Sequence, residues 1–201
     1  MRDKIVQKAT ELFLNLGFKS VTMDDLANAM GISKKTIYSH FMNKTELVET
    51  TTMHMCELII RGIEQIIDQE LNPIEEIYEI KKFVMLELRN EKSSPLYQLQ
   101  KYYPKIHTAL KKVQFESMQG CVEKNVTRGM AQGIYREDLN VEFISRIYFS
   151  GVMGIKDNGL FPTKFFSKPQ LMDYFLEYHL RGIVSPKGRD ILNKIINSNH
   201  Q

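Results

Sequence analysis

The sequence predicts an all-α protein, and three observations carry that prediction. Apolar residues recur at spacings of three and four along most of the chain, as they do on one face of a helix. Between those runs fall Gly, Pro, Ser, Thr and Asn, the residues at which helices stop and restart. Strand-like alternation is nowhere long enough to matter, and no internal repeat is visible. The punctuation divides the chain into about nine or ten helices.

Residues 3–16 place Ile5, Ala9, Leu12, Phe13 and Leu16 at helical spacing, with Gly17 as a left-handed stop. Phe18 and Val21 are placed to close the core of a small three-helix domain. Thr22 can cap a second, short helix that puts Leu26, Ala27 and Met30 on one side, and Gly31 has the freedom for a tight turn. Ser33 restarts the chain as an N-cap. The turns that follow bury Ile37 and Phe41, four apart, and turn Lys35, Thr36 and Ser39 the other way, with Tyr38 at the flank. Lys34 projects from the first turn and His40 lies beside the inward face. Asn43-Lys44-Thr45-Glu46 forms an N-x-x-E capping box that opens the next helix at once. That helix runs to about Gln69 with Leu47, Thr51, Leu58, Ile63 and Ile66 inward.

Asn72-Pro73 is a stop and restart, after which Ile74, Ile77, Val84 and Leu88 read as buried. The run from Asn90 to Pro95 reads as a loop. A short helix from Leu96 to Tyr103 leads to Pro104, and a long one continues through Val113, Val126 and Met130 to Gly133. Gly120 and Gly129 weaken it by roughly 1 kcal/mol each and mark close approaches or a bend. Asp138 and Asn140 precede a helix to about Met153, a loop spans 154–168, Pro169 opens a helix ending near Val184, and a tail helix occupies 186–196.

At 201 residues the chain can bury one sizeable core, or a small domain joined to a larger one. With 43% hydrophobic and 25% charged residues it has the composition of a globular protein, and no apolar run approaches the ~20 residues of a membrane span. The start, MRDKIVQKATELF, is amphipathic and mixed in charge, unlike a secretory signal or transit peptide, so a cytoplasmic location is expected. Cys56 and Cys121 do not make a disulfide framework and read as core thiols. Met53-His54-Met55-Cys56 is no metal site, because consecutive helical residues diverge and no second His or Cys sits at i+4. With no phosphate loop, nucleophile elbow or HExxH motif, no catalytic residue, metal or cofactor is assigned and an enzyme is not expected.

The formal charge of +3 is too small to announce a nucleic-acid binder, but residues 33–44 hold three lysines and nothing acidic lies between Asp25 and Glu46. A short helix that buries two apolar anchors and shows amines, hydroxyls and a phenol suits a major groove. The competing reading is a solvated surface helix of an ordinary bundle. The combination of cap, turn, anchors and capping box favours the helix-turn-helix.

GISKKTIYSHFMNKTEL resembles the recognition segment of the tetracycline-repressor (TetR) type of bacterial regulators, roughly G-[VI]-S-x-x-[TAL]-[LI]-Y-x-[HY]-F-x-[NS]-K-[ED]-x-L. It departs at Thr45, where an acid is usual, although Glu46 still supplies a capping carboxylate. The resemblance extends from Arg2 to about Met55. It implies a DNA-reading domain over 1–46 and a ligand-binding and dimerisation domain over 47–201. It also implies DNA contacts from Thr22, Ser33, Lys34, Lys35, Thr36, Tyr38, Ser39, His40 and Lys44. Lys44, at a helix N-terminus, and Tyr38 are expected on phosphates, with Lys35, Thr36 and Ser39 nearer base edges. By the same resemblance Tyr97, Tyr102, Tyr103, His107, Phe115, Met118 and Phe149 surround an inducer cavity, although aromatics and methionines on buried faces are more often plain core.

The two late helices are apolar over more than one side, which calls for two partners. A homodimer through Phe143, Ile147, Leu171, Phe175 and Tyr178 is therefore expected, as the resemblance also implies. The expected function is sequence-specific DNA-binding transcriptional regulation, most often repression. Its partners are a double-stranded, palindromic operator and an unidentified apolar or amphipathic inducer, with no membrane. The alternatives are a non-specific architectural DNA-binding protein and, in a third class, a helical enzyme.

Overall fold

The structure, a computed structural model, describes residues 1–88 and 95–199. Among them are ten helices and no strand: α1 (Arg2–Leu16), α2 (Met23–Met30), α3 (Lys34–Tyr38), α4 (Lys44–Ile67), α5 (Pro73–Glu87), α6 (Pro95–Tyr102), α7 (Pro104–Ala131), α8 (Val141–Gly154), α9 (Lys168–Ile183) and α10 (Pro186–Asn199). The loop expected from Asn90 lies outside the described residues as far as position 94, and Pro95 opens α6 instead of ending a loop. Proline suits a first helical position, where its missing N–H costs no bond. The ends of α8 and α9 follow side-chain caps, since Asn140 Oδ1 accepts from the Phe143 N–H (2.9 Å) and the Ser167 hydroxyl accepts from the Gln170 N–H (3.4 Å).

Several expectations need correction. Gly17 has positive φ (87°), but with ψ at 154° it lies outside the left-handed helical well, and a turn over residues 18–20, with the Val21 N–H on the Gly17 carbonyl (3.4 Å), follows α1. Leu58 is 43% exposed and does not face inward. Gly129 is a close approach, since a Cβ there would overlap the Tyr135 ring, but a Cβ at Gly120 would meet nothing within 4 Å.

The chain forms two compact units. The first comprises Met1–Gly62 and Leu86–Gln114, the second Ile63–Met85 and Phe115–Gln201. In the first, Ile5, Ala9 and Phe13 of α1 share a core with Leu26 of α2, Ile37 of α3, Leu47 of α4, Leu99 of α6 and Leu110 of α7. The Phe13 and Phe18 rings lie 5.0 Å apart, and Phe18 meets Tyr103 edge-on at 6.2 Å. In the second, Ile74 and Tyr78 of α5, Val126 of α7, Ile144 of α8, Leu176 and Leu180 of α9 and Leu192 of α10 form one core.

That second core encloses polar groups. The Asn125 amide donates to the Pro73 carbonyl (2.9 Å) and to the Glu76 carboxylate (2.7 Å), and its own oxygen accepts from the Tyr135 hydroxyl (3.0 Å). Arg128 pairs with the other oxygen of Glu76. Burial, with the Glu76 charge second, pushes the Tyr135 hydroxyl far up, so it stays a donor at any ordinary pH.

Candidate nucleic-acid interface

The site is assembled by local hydrogen bonds. At the start of α2 the Thr22 N–H (2.8 Å) and hydroxyl (2.7 Å) both donate to one Asp25 oxygen, while the Asp25 N–H donates to the Thr22 hydroxyl oxygen (3.1 Å). This capping box fixes how the chain enters the helix, and the two Thr22 bonds hold the Asp25 carboxyl below its usual range. The Thr22 hydroxyl proton is thus committed to the cap. At the far end Gly31 adopts φ 65°, ψ 30°, a left-handed conformation that turns the chain within one residue. The Ser33 hydroxyl then caps α3 by accepting from the Thr36 N–H (3.1 Å).

The recognition helix is only five residues long, shorter than the motif suggests, yet Ile37 (0% exposed) and Phe41 (1%) are both anchored as expected. Phe41 lies one turn beyond the helix, its N–H donating to the Ile37 carbonyl (3.0 Å), and the Arg2 guanidinium covers its ring at 4.8 Å. On the opposite face Lys35 and Ser39 are exposed, Tyr38 is 44% exposed and Thr36 is half-buried. The hydroxyls of this face are tied locally: Ser33 and Thr36 share a hydrogen bond (2.8 Å), and Ser39 donates to the Thr36 carbonyl (2.7 Å). These bonds hold the polar groups in one register, which is what base-edge reading requires.

The three lysines fare differently. Lys34 forms an ion pair with Asp24 of α2 (2.7 Å), a neighbour that spacing along α3 alone does not reveal. Lys35 projects into solvent. Lys44, in the first turn of α4, is half-buried, and desolvation holds its ammonium below the usual lysine value against the pull of Asp25. An anion arriving there would meet an ammonium already stripped of part of its water. The α4 cap also differs in detail, because Asn43 Oδ1 accepts from the Glu46 N–H (2.9 Å) but the Glu46 carboxylate accepts from the Met42 N–H (2.7 Å), one residue before the cap. His40 is half-buried beside the anchored face.

The expected cavity residues divide between the units. Tyr97 (60% exposed) and Tyr102 (39%) lie on the surface of the first unit, while Tyr103 and His107 are half-buried there. In the second unit Phe149 is buried and meets Phe115 edge-on at 5.1 Å, with Met118 half-buried. Of the expected dimer residues, Phe143 (61%), Ile147 (47%) and Tyr178 (81%) are exposed together with Tyr174 (60%). Leu171 is buried within the protomer, and the half-buried Phe175 ring lies against Tyr148, His179 and Gly151. Both are covered by their own chain, Phe175 by the α8 residues Tyr148 and Gly151.

A capped helix, a one-residue left-handed turn and a second short helix with a polar outer face define a helix-turn-helix, the apparatus of a DNA-binding regulator. Residues 5–51 match the family model described as bacterial regulatory proteins, tetR family. Over 194 residues, 93% of this chain and 92% of the relative, the sequence is 24% identical to the HTH-type transcriptional repressor KstR2 of Mycolicibacterium smegmatis. Over 141 residues, 57% of this chain and 76% of the relative, it is 28% identical to the biofilm operon icaADBC HTH-type negative transcriptional regulator IcaR of Staphylococcus epidermidis. The fold matches that of a TetR-family transcriptional regulator from Agrobacterium tumefaciens with a TM-score of 0.72 at 18% identity, covering 92% of this chain and 97% of that one. The N-terminal segment is thus similar to the DNA-binding domain of the tetR type, and the chain is a DNA-binding transcriptional regulator. No helix among the described residues is long and apolar enough to cross a membrane.

Proposed function

We propose that the chain is a cytoplasmic repressor that binds a palindromic operator as a homodimer and leaves it when a small apolar or amphipathic inducer binds. In this reading residues 1–46 read the DNA and residues 47–201 dimerise and hold the inducer. The observation that carries it is the α3 face, with Lys35, Tyr38 and Ser39 outward over the buried Ile37 and Phe41. Lys44 and Tyr38 hold phosphates, while Lys35, Thr36 and Ser39 address base edges. Thr22, Ser33, Lys34 and His40 complete the contact surface, Thr22 and His40 on phosphates. Repression is the activity named for the two relatives above.

Dimerisation rests on the exposed stripe of Phe143 and Ile147 on α8 with Tyr174 and Tyr178 on α9, too apolar to face water without cause. A two-fold pairing of such stripes makes a four-helix interface. Two recognition helices must then sit about 34–36 Å apart to enter successive major grooves, so any ligand that favours another separation disfavours the operator. An inducer cavity in the second unit rests on Phe115, Met118 and Phe149. Charged substitutions at Phe143 and Tyr178, made one at a time, test the dimer. Sedimentation should show helical monomers that lose tight operator binding, and unchanged dimers with full affinity for both variants would reject this interface.

A further inference from the structure

Positive charge is not confined to the recognition helix. The first unit carries fourteen Lys and Arg against nine Asp and Glu, whereas the second carries thirteen against fifteen. Much of the excess comes from the segment spanning α6 and the first half of α7, where residues 95–115 hold Lys101, Lys105, Lys111 and Lys112 and no acid. Within the first unit this segment meets the connection between α1 and α2. Gln98 of α6 accepts from the Lys19 N–H (3.1 Å), and its amide lies over Gly17, where a Cβ would overlap it.

Two ammonium groups converge there. Lys19 Nζ lies over the Tyr102 ring at 5.2 Å, and Lys101 Nζ lies 5.5 Å from the same ring and 5.7 Å from that of Tyr97. Both tyrosines are exposed, so the rings are a surface platform and not a cavity wall. Among the described residues the groups that act on Lys101 are the phenols, Tyr102 first and Tyr97 second; they hold its ammonium above the usual value. Like charges gathered on one ring repel, and an anion arriving beside the ring is attracted by both. Lys19 also lies three residues before Thr22, a span of at most about 11 Å, beside the α2 end proposed above as part of the DNA-contact surface.

We infer that Lys19 and Lys101, set on the Tyr97–Tyr102 platform, form a second contact with the DNA phosphate backbone, separate from the recognition helix and blind to sequence. The inference rests on DNA binding by the helix-turn-helix and extends its footprint to α6. Such a contact adds affinity and salt dependence without adding base preference.

The test uses the full chain and a duplex recovered by its own selection from random DNA. Lys19→Gln with Lys101→Gln removes both charges while keeping unbranched polar side chains, and Lys19→Arg with Lys101→Arg keeps the charges. The glutamine pair should lower the slope of log K against log salt by about two units per protomer, at 0.9 per phosphate lost, with the selected base preferences unchanged. The arginine pair should keep the parental slope. A parental slope in the glutamine pair, or a preference altered at particular bases, overturns the inference. A parent chain that binds no duplex at all is a different result, since it removes the helix-turn-helix reading and the platform contact together.

Discussion

The DNA-reading head and the C-terminal unit are built on opposite plans. In the head, the capping bonds join residues three apart: Thr22 with Asp25, Ser33 with Thr36, Asn43 with Glu46. In the C-terminal unit the polar bonds that fix the packing join residues about fifty apart, Glu76 with Asn125 and with Arg128. A head made of short-range caps can lose one and keep its shape, whereas a buried network shares each group among several partners.

Substitutions sharpen this contrast. Glu76 is 3% exposed at its side chain and holds both Asn125 and Arg128, so Glu76→Ala takes an acceptor from the buried Asn125 amide and the ion partner from the half-buried Arg128. It should cost about 3–5 kcal/mol, read as a large fall in the urea midpoint; a loss under about 1 kcal/mol would show that the network is incidental.

A pH titration probes the same unit. His179 is buried among Tyr148 and Phe175, and burial lowers its pKa to about 4. Because the folded value lies below the ordinary 6.5, the neutral form is the one the fold accepts. Its contribution is intact above pH 6.5 and is lost as pH falls toward 4, by roughly 3 kcal/mol. His179→Phe should flatten stability over that window; an unchanged slope would place the acid sensitivity elsewhere.

The head should yield smaller numbers. Gly31→Ala forces a side chain into left-handed backbone with nothing within 4 Å to clash, so the cost is conformational alone, about 1–2 kcal/mol, with Gly31→Asn less damaging. Thr22→Ala should cost about 1 kcal/mol by losing the α2 cap. Losses above about 3 kcal/mol for either would contradict a head made of separable local bonds.

The same contrast explains what the sequence made legible. Caps at Thr22, Ser33 and Asn43 and the turn at Gly31 are short-range signals, so the helix-turn-helix and most helix boundaries could be read directly. Spacing showed which side of α8 and α9 was apolar but not which apolar residues the protomer itself covers. Phe143 and Tyr178 are exposed while Leu171 is buried, a difference set by how α8 and α9 pack. Lys34 pairs with Asp24, ten residues away on another helix, a neighbour that helical spacing does not reveal. Tyr97 and Tyr102 read as apolar lining because nothing in sequence brings Lys19 to α6.

The central claim is that the α3 face reads sequence. Selection of bound duplexes from random DNA by the full chain, repeated with Lys35→Ala, tests it most directly. The parent should select one two-fold symmetric site bound at least about a thousandfold tighter than random DNA, and the variant should show a preference relaxed at a defined base position. Equal affinity for all sequences, or an identical selected site in the variant, would contradict it.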